Sequence, residues 1–344
     1  KIRYKNARGK GMVPAMNAQN RPQTVIVMSC HNCAATLEAC LESLHAQTLA
    51  DWVLLAADDG SSDQTPAMLQ AAAQADQRIR VFAYTDNKGL AARLNALIDV
   101  ALAEYPGAFI ARMDGDDICA PDRFEKQVSY LNEHPAIGVV ASWGRCIAPD
   151  GSPVKERVET ATAHDHIAVN GFFSAPLLHP SVMFRPGVLQ ALGQPVYDPS
   201  LRRAQDFDLW ARLVPFTKFA VLPEYLLTYR LGSDKRIDKE HDLNRFRRII
   251  VERNLQRLGI ADKDEAWMAA AYAIVGFPLP KISLKPGLLP VVLRDIIAAN
   301  DHAKLYDPAL FQEKLEAKYS KARRRVKWWK QALQVFGRTL AARS

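Results

Sequence analysis

Two hydrophobic periods alternate along the first 145 residues, and this alternation constrains the fold more than any other feature. "TVIVMS" (Thr24 to Ser29) is a continuous apolar run suited to a buried parallel strand. "AATLEACLESLHAQ" then places Leu37, Cys40, Leu41 and Leu44 at helical spacing. The unit repeats. "WVLLAA" precedes a helix opened by Thr65-Pro66, and "RIRVFAY" precedes "LAARLNALIDVALAE". "AFIARM" precedes "RFEKQVSYLNE", with Phe124, Val128 and Leu131 on one stripe, and "IGVVAS" closes the series. Strands alternating with helices of this length predict β-α-β units and a mostly parallel, Rossmann-like sheet covered on both faces.

Ligands of such sheets bind beyond the carboxyl ends of the strands, and the polar chemistry of this chain clusters there. Strand two ends in "ADDGSSD", strand three leads into "DNKGLAARLN", and strand four runs into "IARMDGDDICAPDRF". The last stretch packs Asp114, Asp116, Asp117 and Asp122 together. Like charges this close repel, so they require a positive partner or a covering of water. The simplest partner is a divalent cation accompanied by a phosphorylated ligand. Asp114 and Asp116, a D-x-D pair on a turn through Gly115, direct two carboxylates at one hard ion. Mg2+ or Mn2+ fits; zinc would want His and Cys at ligand spacing. The bland alternative is a solvated charge run.

Composition narrows the class. With 344 residues, 49% of them hydrophobic, the chain can bury one large core or two modest ones. No run of 18 apolar residues exists; the segment from Ala266 to Leu279 is too short to span a bilayer. The first 21 residues lack a secretory pattern and read as a leader segment, with Met16 a natural start. Five cysteines, an odd number, point to a reducing compartment, and the cytoplasm is the expectation. Cys30 and Cys33 form "CHNC", read as small buried residues at a strand-to-helix junction. The redox or half-zinc alternative lacks a second C-x-x-C.

The net charge of +8 belongs to the ends. Residues 321–344 hold eight Lys or Arg and no acid, and the first 21 hold six more. The stretch between them carries 31 basic against 37 acidic residues, which argues against a nucleic-acid binder. In the tail, Val326, Trp329, Leu333, Phe336 and Leu340 form one apolar stripe among basic faces, the pattern of an interfacial helix on an anionic membrane surface. The alternative is packing on the body or on a partner subunit, as in a homodimer.

"VIVMSCHNCAATLEACLESLHAQTLADWVLLAADDGSSDQT", "NKGLAARLNALI" and "ARMDGDDICAPDRFEKQVSYL" together resemble the nucleotide-sugar-binding half of a glycosyltransferase family 2 enzyme with the GT-A fold, over roughly residues 22–145. The usual P-x-Y-N after strand one is here Ser29-Cys30-His31-Asn32, which keeps the turn and Asn32. The resemblance implies that Asp58 and Asp59 read the nucleotide, with Asp59 on the base. It implies that Lys88 and Arg93 lie beside base and diphosphate, and that Asn32 and Gly115 line the donor site. It implies a metal at Asp114 and Asp116, with Asp114 also facing the donor. "LLHPSVMFR" resembles the family segment whose histidine sits near the metal, making His179 a third ligand; a packed histidine is the alternative. "YDPSLRRAQDFDLWARL" resembles the base-bearing segment, usually E-D and here Gln205-Asp206, and implies Asp206 as general base; Asp208, two residues on at the start of a helix, has capping as its ordinary role.

The implied reaction is a single inverting displacement from a nucleotide sugar, a UDP-sugar favoured. The acceptor would be a hydroxyl of a saccharide or lipid-linked molecule, in cell-surface polysaccharide or lipopolysaccharide synthesis. A sugar-1-phosphate nucleotidyltransferase is the rival, but its glycine-rich phosphate loop is missing from "VMSCHNCAATL". A non-catalytic binding relative is opposed by Asp59, Asp114, Asp116 and Asp206 occurring together. A processive synthase is opposed by the lack of Q-x-x-R-W. The domain expectation is 22–235 for the transferase, divided at 145/146 into nucleotide-sugar and acceptor halves, and 236–344 for an appended helical region.

Overall fold

The computed structural model describes residues 22–232, 237–277 and 285–341, without the side chains of 237–242, 286 and 327–341. The leader expected over residues 1–21 lies outside the described residues. The chain opens β1 (Thr24–Cys30), α1 (Ala34–His45), β2 (Trp52–Asp59), α2 (Thr65–Ala75), β3 (Ile79–Tyr84), α3 (Leu90–Glu104) and β4 (Phe109–Asp114). Every one of these elements is where the alternation predicts it. It continues with β5 (Ile118–Cys119), α4 (Arg123–Glu133), β6 (Ile137–Ile147), β7 (Pro153–Val158), α5 (His164–Phe173), β8 (Met183–Phe184), α6 (Pro186–Leu192), α7 (Gln205–Leu213) and β9 (Lys218–Arg230).

The sheet runs β3-β2-β1-β4-β8-β6-β9-β5, with β7 on β6. Strands β1 to β4 are parallel. Beyond β4 the sheet is mixed, because the short β8 inserts antiparallel between β4 and β6. The strand over "IGVVAS" is thus separated from β4 by β8. A two-residue strand with no helix of its own leaves no periodicity signal.

Continuous apolar strands follow from burial on both faces. Val25, Val27, Leu55 and Ala57 pack with α3, α6 and α7. Ile26, Met28, Leu54 and Ala56 pack with α1 and α4. The residues sort into two compact units, one running to Ile167 and over Ala175–Lys239, the other comprising Ala168–Ser174 and Glu240–Ser344.

The second unit holds α8 (Ile237–Arg257), α9 (Glu265–Val275), α10 (Leu289–Ala303) and α11 (Pro308–Ala341). Its core is aromatic: Phe172 meets Phe311 edge-on at 5.1 Å and Tyr306 stacks on Phe311 at 5.1 Å. Asp264 caps α9 by accepting from the Trp267 amide at 2.7 Å. No helix among the described residues is long and apolar enough to cross a membrane. Of the expected tail stripe, Val326 is buried, and the side chains of Trp329, Leu333, Phe336 and Leu340 lie outside the described residues.

Candidate functional site

Parallel pairing brings the acidic strand ends side by side. Ser29 registers with Asp114 across β1 and β4, and Cys30 with Asp58 across β1 and β2. The chemistry at the two ends differs.

At the end of β2, Asp59 is 2% exposed and heavily partnered. It accepts from the Lys88 amide at 2.9 Å, the Gly89 amide at 2.8 Å and Arg93 Nε at 2.5 Å. Arg93 is itself buried, donates to the Asp86 carbonyl and, at 2.8 Å, to its carboxylate, and lies 3.6 Å above the Tyr84 ring. The pair thus braces the loop that presents Lys88. Arg93 is a buried strut rather than a solvated helix residue. Asp58 accepts from the Ser61 amide at 3.2 Å. Asn32, in a left-handed conformation (φ 51°), accepts from the Ser62 amide at 2.8 Å, while its own amide donates to Ser61 Oγ at 3.0 Å. Asn32 ties the end of β1 to the loop after β2.

At the end of β4 the turn's carbonyls are claimed by side chains. Asp114 O accepts from Cys40 Sγ at 3.4 Å, Gly115 O from Thr36 Oγ1 at 3.2 Å, and Asp116 O from Arg230 Nε at 3.0 Å. The carboxylates are left to face one another. Those of Asp114, Asp116 and Asp117 gather within 4.8 Å. Asp117 is fully buried; Oδ1 accepts from the Arg230 amide at 2.8 Å and Oδ2 has no hydrogen-bond partner. Burial, then the Asp114 charge, push Asp117 up to about 8, and burial followed by Asp114 also raises Asp116. A hard oxygen donor set, mutual repulsion and an orphaned buried oxygen fit a divalent cation. In sequence Asp117 reads as one of four crowded acids and not as a ligand, and Arg230 is not singled out, since nothing in the local pattern says that β9 returns to this turn.

One positive partner is built in. Arg112, 2% exposed on β4, pairs with Asp114 at 2.5 Å, while its Nε and Nη1 have no partner. In sequence it reads as one polar residue inside a strand.

His179 is buried and its Nε2 is 2.8 Å from the Tyr197 hydroxyl. Burial, then Arg112, hold it well below the ordinary histidine range, so it is neutral. The structure does not bring His179 into the carboxylate cluster. Asn95 of α3 clamps the Tyr197 backbone with bonds of 2.7 and 2.8 Å. Asp206 sits in the first turn of α7, where burial raises its affinity for a proton and the Phe207 amide opposes this. Asp208 does not cap α7 as expected. Fully buried, it pairs with Arg212 at 2.7 Å, and Arg212 donates to the Val196 carbonyl. A helix-start position and an ion-pair position are indistinguishable in sequence when the cation follows four residues later.

A cavity of about 430 Å³ opens beside the acidic turn, its lining including Asn32, Cys33, Asp114, Asp116 and Arg230. Gly115 permits the close packing there: a Cβ on it would lie 2.9 Å from Cys30 Sγ and 3.0 Å from Cys33 Sγ.

With the geometry in place, the chain's likeness to known proteins is specific. The family model described as glycosyl transferase family 2 matches residues 25–190. The amylovoran biosynthesis glycosyltransferase AmsE of Erwinia amylovora is 33% identical over 234 residues, 67% of this chain and 83% of that protein. The O-antigen biosynthesis glycosyltransferase WbnJ of Escherichia coli is 27% identical over 214 residues, 60% of this chain and 79% of its own. In fold, the chain is similar to S. aureus TarS 1–349 in complex with UDP-GlcNAc, with a TM-score of 0.57 at 18% identity over 90% of this chain and 92% of that one. It is also similar to the mannosyltransferase PcManGT from Pyrobaculum calidifontis in complex with GDP-Man and Mn2+, with a TM-score of 0.51 at 18% identity over 88% and 87%.

Proposed function

The chain belongs to glycosyltransferase family 2 and is a glycosyltransferase, and from that premise we propose that it moves one sugar from a UDP-sugar to a hydroxyl of a saccharide or lipid-linked acceptor, with inversion. The names of AmsE and WbnJ support a role in bacterial cell-surface polysaccharide synthesis. The observation that carries the reading is the cluster of Asp114, Asp116 and Asp117 carboxylates within 4.8 Å, of which Asp114 and Asp116 line the cavity.

In this reading Asp114, Asp116 and Asp117 hold a divalent cation, Mg2+ or Mn2+, which when bound offsets the charge on the departing diphosphate. Asp59, oriented by Arg93, already takes three donors. A carboxylate has about four acceptor sites, so one remains for the imide N–H of uracil. Asn32 and Asp58 shape the nucleoside side, and Lys88, on the braced loop, faces the diphosphate. Arg112 holds Asp114 in one orientation. Asp206 takes the proton of the acceptor hydroxyl as that oxygen attacks C1 from the face opposite the diphosphate. His179, neutral and bonded to the Tyr197 hydroxyl, takes a packing role rather than that of a ligand. The basic stretch 321–344 attaches the enzyme peripherally to an anionic membrane surface, where lipid-linked acceptors reside. Equal liposome flotation with and without this stretch would refute that attachment.

The test of the reaction is a screen of nucleotide sugars for thermal stabilisation and donor hydrolysis, with Mn2+ and with EDTA. Stabilisation by a UDP-sugar that needs the cation, and product of opposite anomeric configuration, are the expected results. Unchanged turnover in EDTA would overturn the reading.

A further inference from the structure

We propose that Cys30 and Cys33 are a reversible dithiol–disulfide pair whose oxidation loosens the Asp114–Asp117 turn. This does not rest on the transfer reaction. Cys30 ends β1 and Cys33 is the residue before the first turn of α1, so the C-x-x-C spans a strand-to-helix junction. The two sulfurs lie close to each other on the same side of the turn. Both sulfurs also crowd one point above Gly115, 2.9 and 3.0 Å from where a Cβ would be. Cys33 is half-buried and lines the cavity, so a small oxidant reaches it from solvent, while Cys30 is buried behind it. Cys40, Cys119 and Cys146 are buried, which leaves Cys33 as the cysteine to be attacked first.

The chemistry balances with a low-molecular-weight disulfide as oxidant. The Cys33 sulfur attacks one sulfur of oxidised glutathione, breaking its S–S bond and releasing one glutathione thiol. The Cys30 sulfur then attacks the Cys33 sulfur, releasing the second glutathione. The chain is oxidised by loss of two hydrogens, and the oxidant is reduced to two thiols. Dithiothreitol reverses both steps.

The consequence follows from packing. Bonded sulfurs close to about 2.0 Å, so at least one of them shifts within the space beside Gly115 that both now fill. The turn then loses the packing that backs it, and the Thr36 bond to Gly115 O and the Cys40 bond to Asp114 O lose their support. A turn so released presents its carboxylates less rigidly.

The experiment uses the full chain, reduced and then treated with oxidised glutathione, with remaining thiols alkylated and peptides mapped by mass. Hydrogen exchange is followed in the peptide spanning residues 113–119. The expected result is a Cys30–Cys33 disulfide, with exchange at 115–117 faster by about tenfold and restored by dithiothreitol. Cys30→Ser and Cys33→Ser, each compared with its own reduced form, should show no change in exchange at the turn. Two results would overturn the proposal: Cys33 stopping at a glutathione adduct without releasing the second thiol, or a disulfide that leaves exchange at the turn unaltered. Neither readout involves a nucleotide sugar, so failure here leaves the proposed reaction standing, and the converse also holds.

Discussion

Two acidic strand ends lie two strands apart in one sheet and are treated oppositely. At the end of β2, Asp59 is buried but saturated: two backbone amides and Arg93 converge on it. At the end of β4, three carboxylates are held together while the backbone carbonyls around them take the available donors. Desolvation costs are met internally in the first case and left outstanding in the second. The difference fits the two proposed roles. Asp59 is held in one orientation before a ligand arrives, and the β4 carboxylates retain the mutual repulsion that a bound cation would relieve.

The comparison breaks most visibly by mutation. Asp116→Ala should abolish turnover and weaken binding of UDP with Mn2+, while leaving the melting temperature without metal unchanged or higher, because a like charge has gone. Asp206→Asn should lower the turnover number by roughly a hundredfold to ten-thousandfold, with donor affinity close to wild type by equilibrium titration. Near-normal turnover, or product that keeps the donor's configuration, would contradict its role as base. Asp208→Asn is the contrast on the same helix: it breaks the buried pair with Arg212 and should register in stability more than in turnover.

Asp59→Ala sharpens the contrast from the other side. It strands the Arg93 guanidinium and two loop amides, and breaking a buried pair costs about 3–5 kcal/mol. Chemical denaturation should show that loss, whereas Asp116→Ala should show none. A further effect comes from pH. Asp117, buried with a folded pKa of about 8 against an ordinary 3.8, binds more protons folded than unfolded. Stability without divalent cation should therefore fall as pH rises between those values. A thermal melt series that rises with pH over this window would contradict the assignment.

Much of the fold was legible because β1 to β4 are buried on both faces and each is followed by an amphipathic helix. Helix α3 begins at Leu90 and ends at Glu104, as "LAARLNALIDVALAE" suggested. Strand β8 was not legible: two residues carry no period, and its place between β4 and β6 is a long-range choice. In the site, the D-x-D turn stood out because charge density violates the surrounding pattern. Arg230 did not, since its role exists only once β9 pairs with β5 and brings it back to the turn, and Arg112 reads as one polar residue in a strand until its burial beside Asp114 is seen. Asp208 misled for a related reason: the side chain points inward to Arg212, and direction is set by packing rather than by position in the helix. Segment 168–174 groups with the second unit although no shift in composition marks it.

On the proposed reading, the β4 turn is a cation site kept under-neutralised by the fold. Calorimetric titration of the full chain with Mn2+, repeated across the neutral range, tests it most directly. Because Asp117 must give up its proton to bind the ion, affinity should climb by about tenfold per pH unit below its folded pKa of about 8. Above that it should level off, and one proton should be released per ion at the lower end. Affinity that does not vary with pH, or that survives Asp116→Ala unaltered, would contradict the claim.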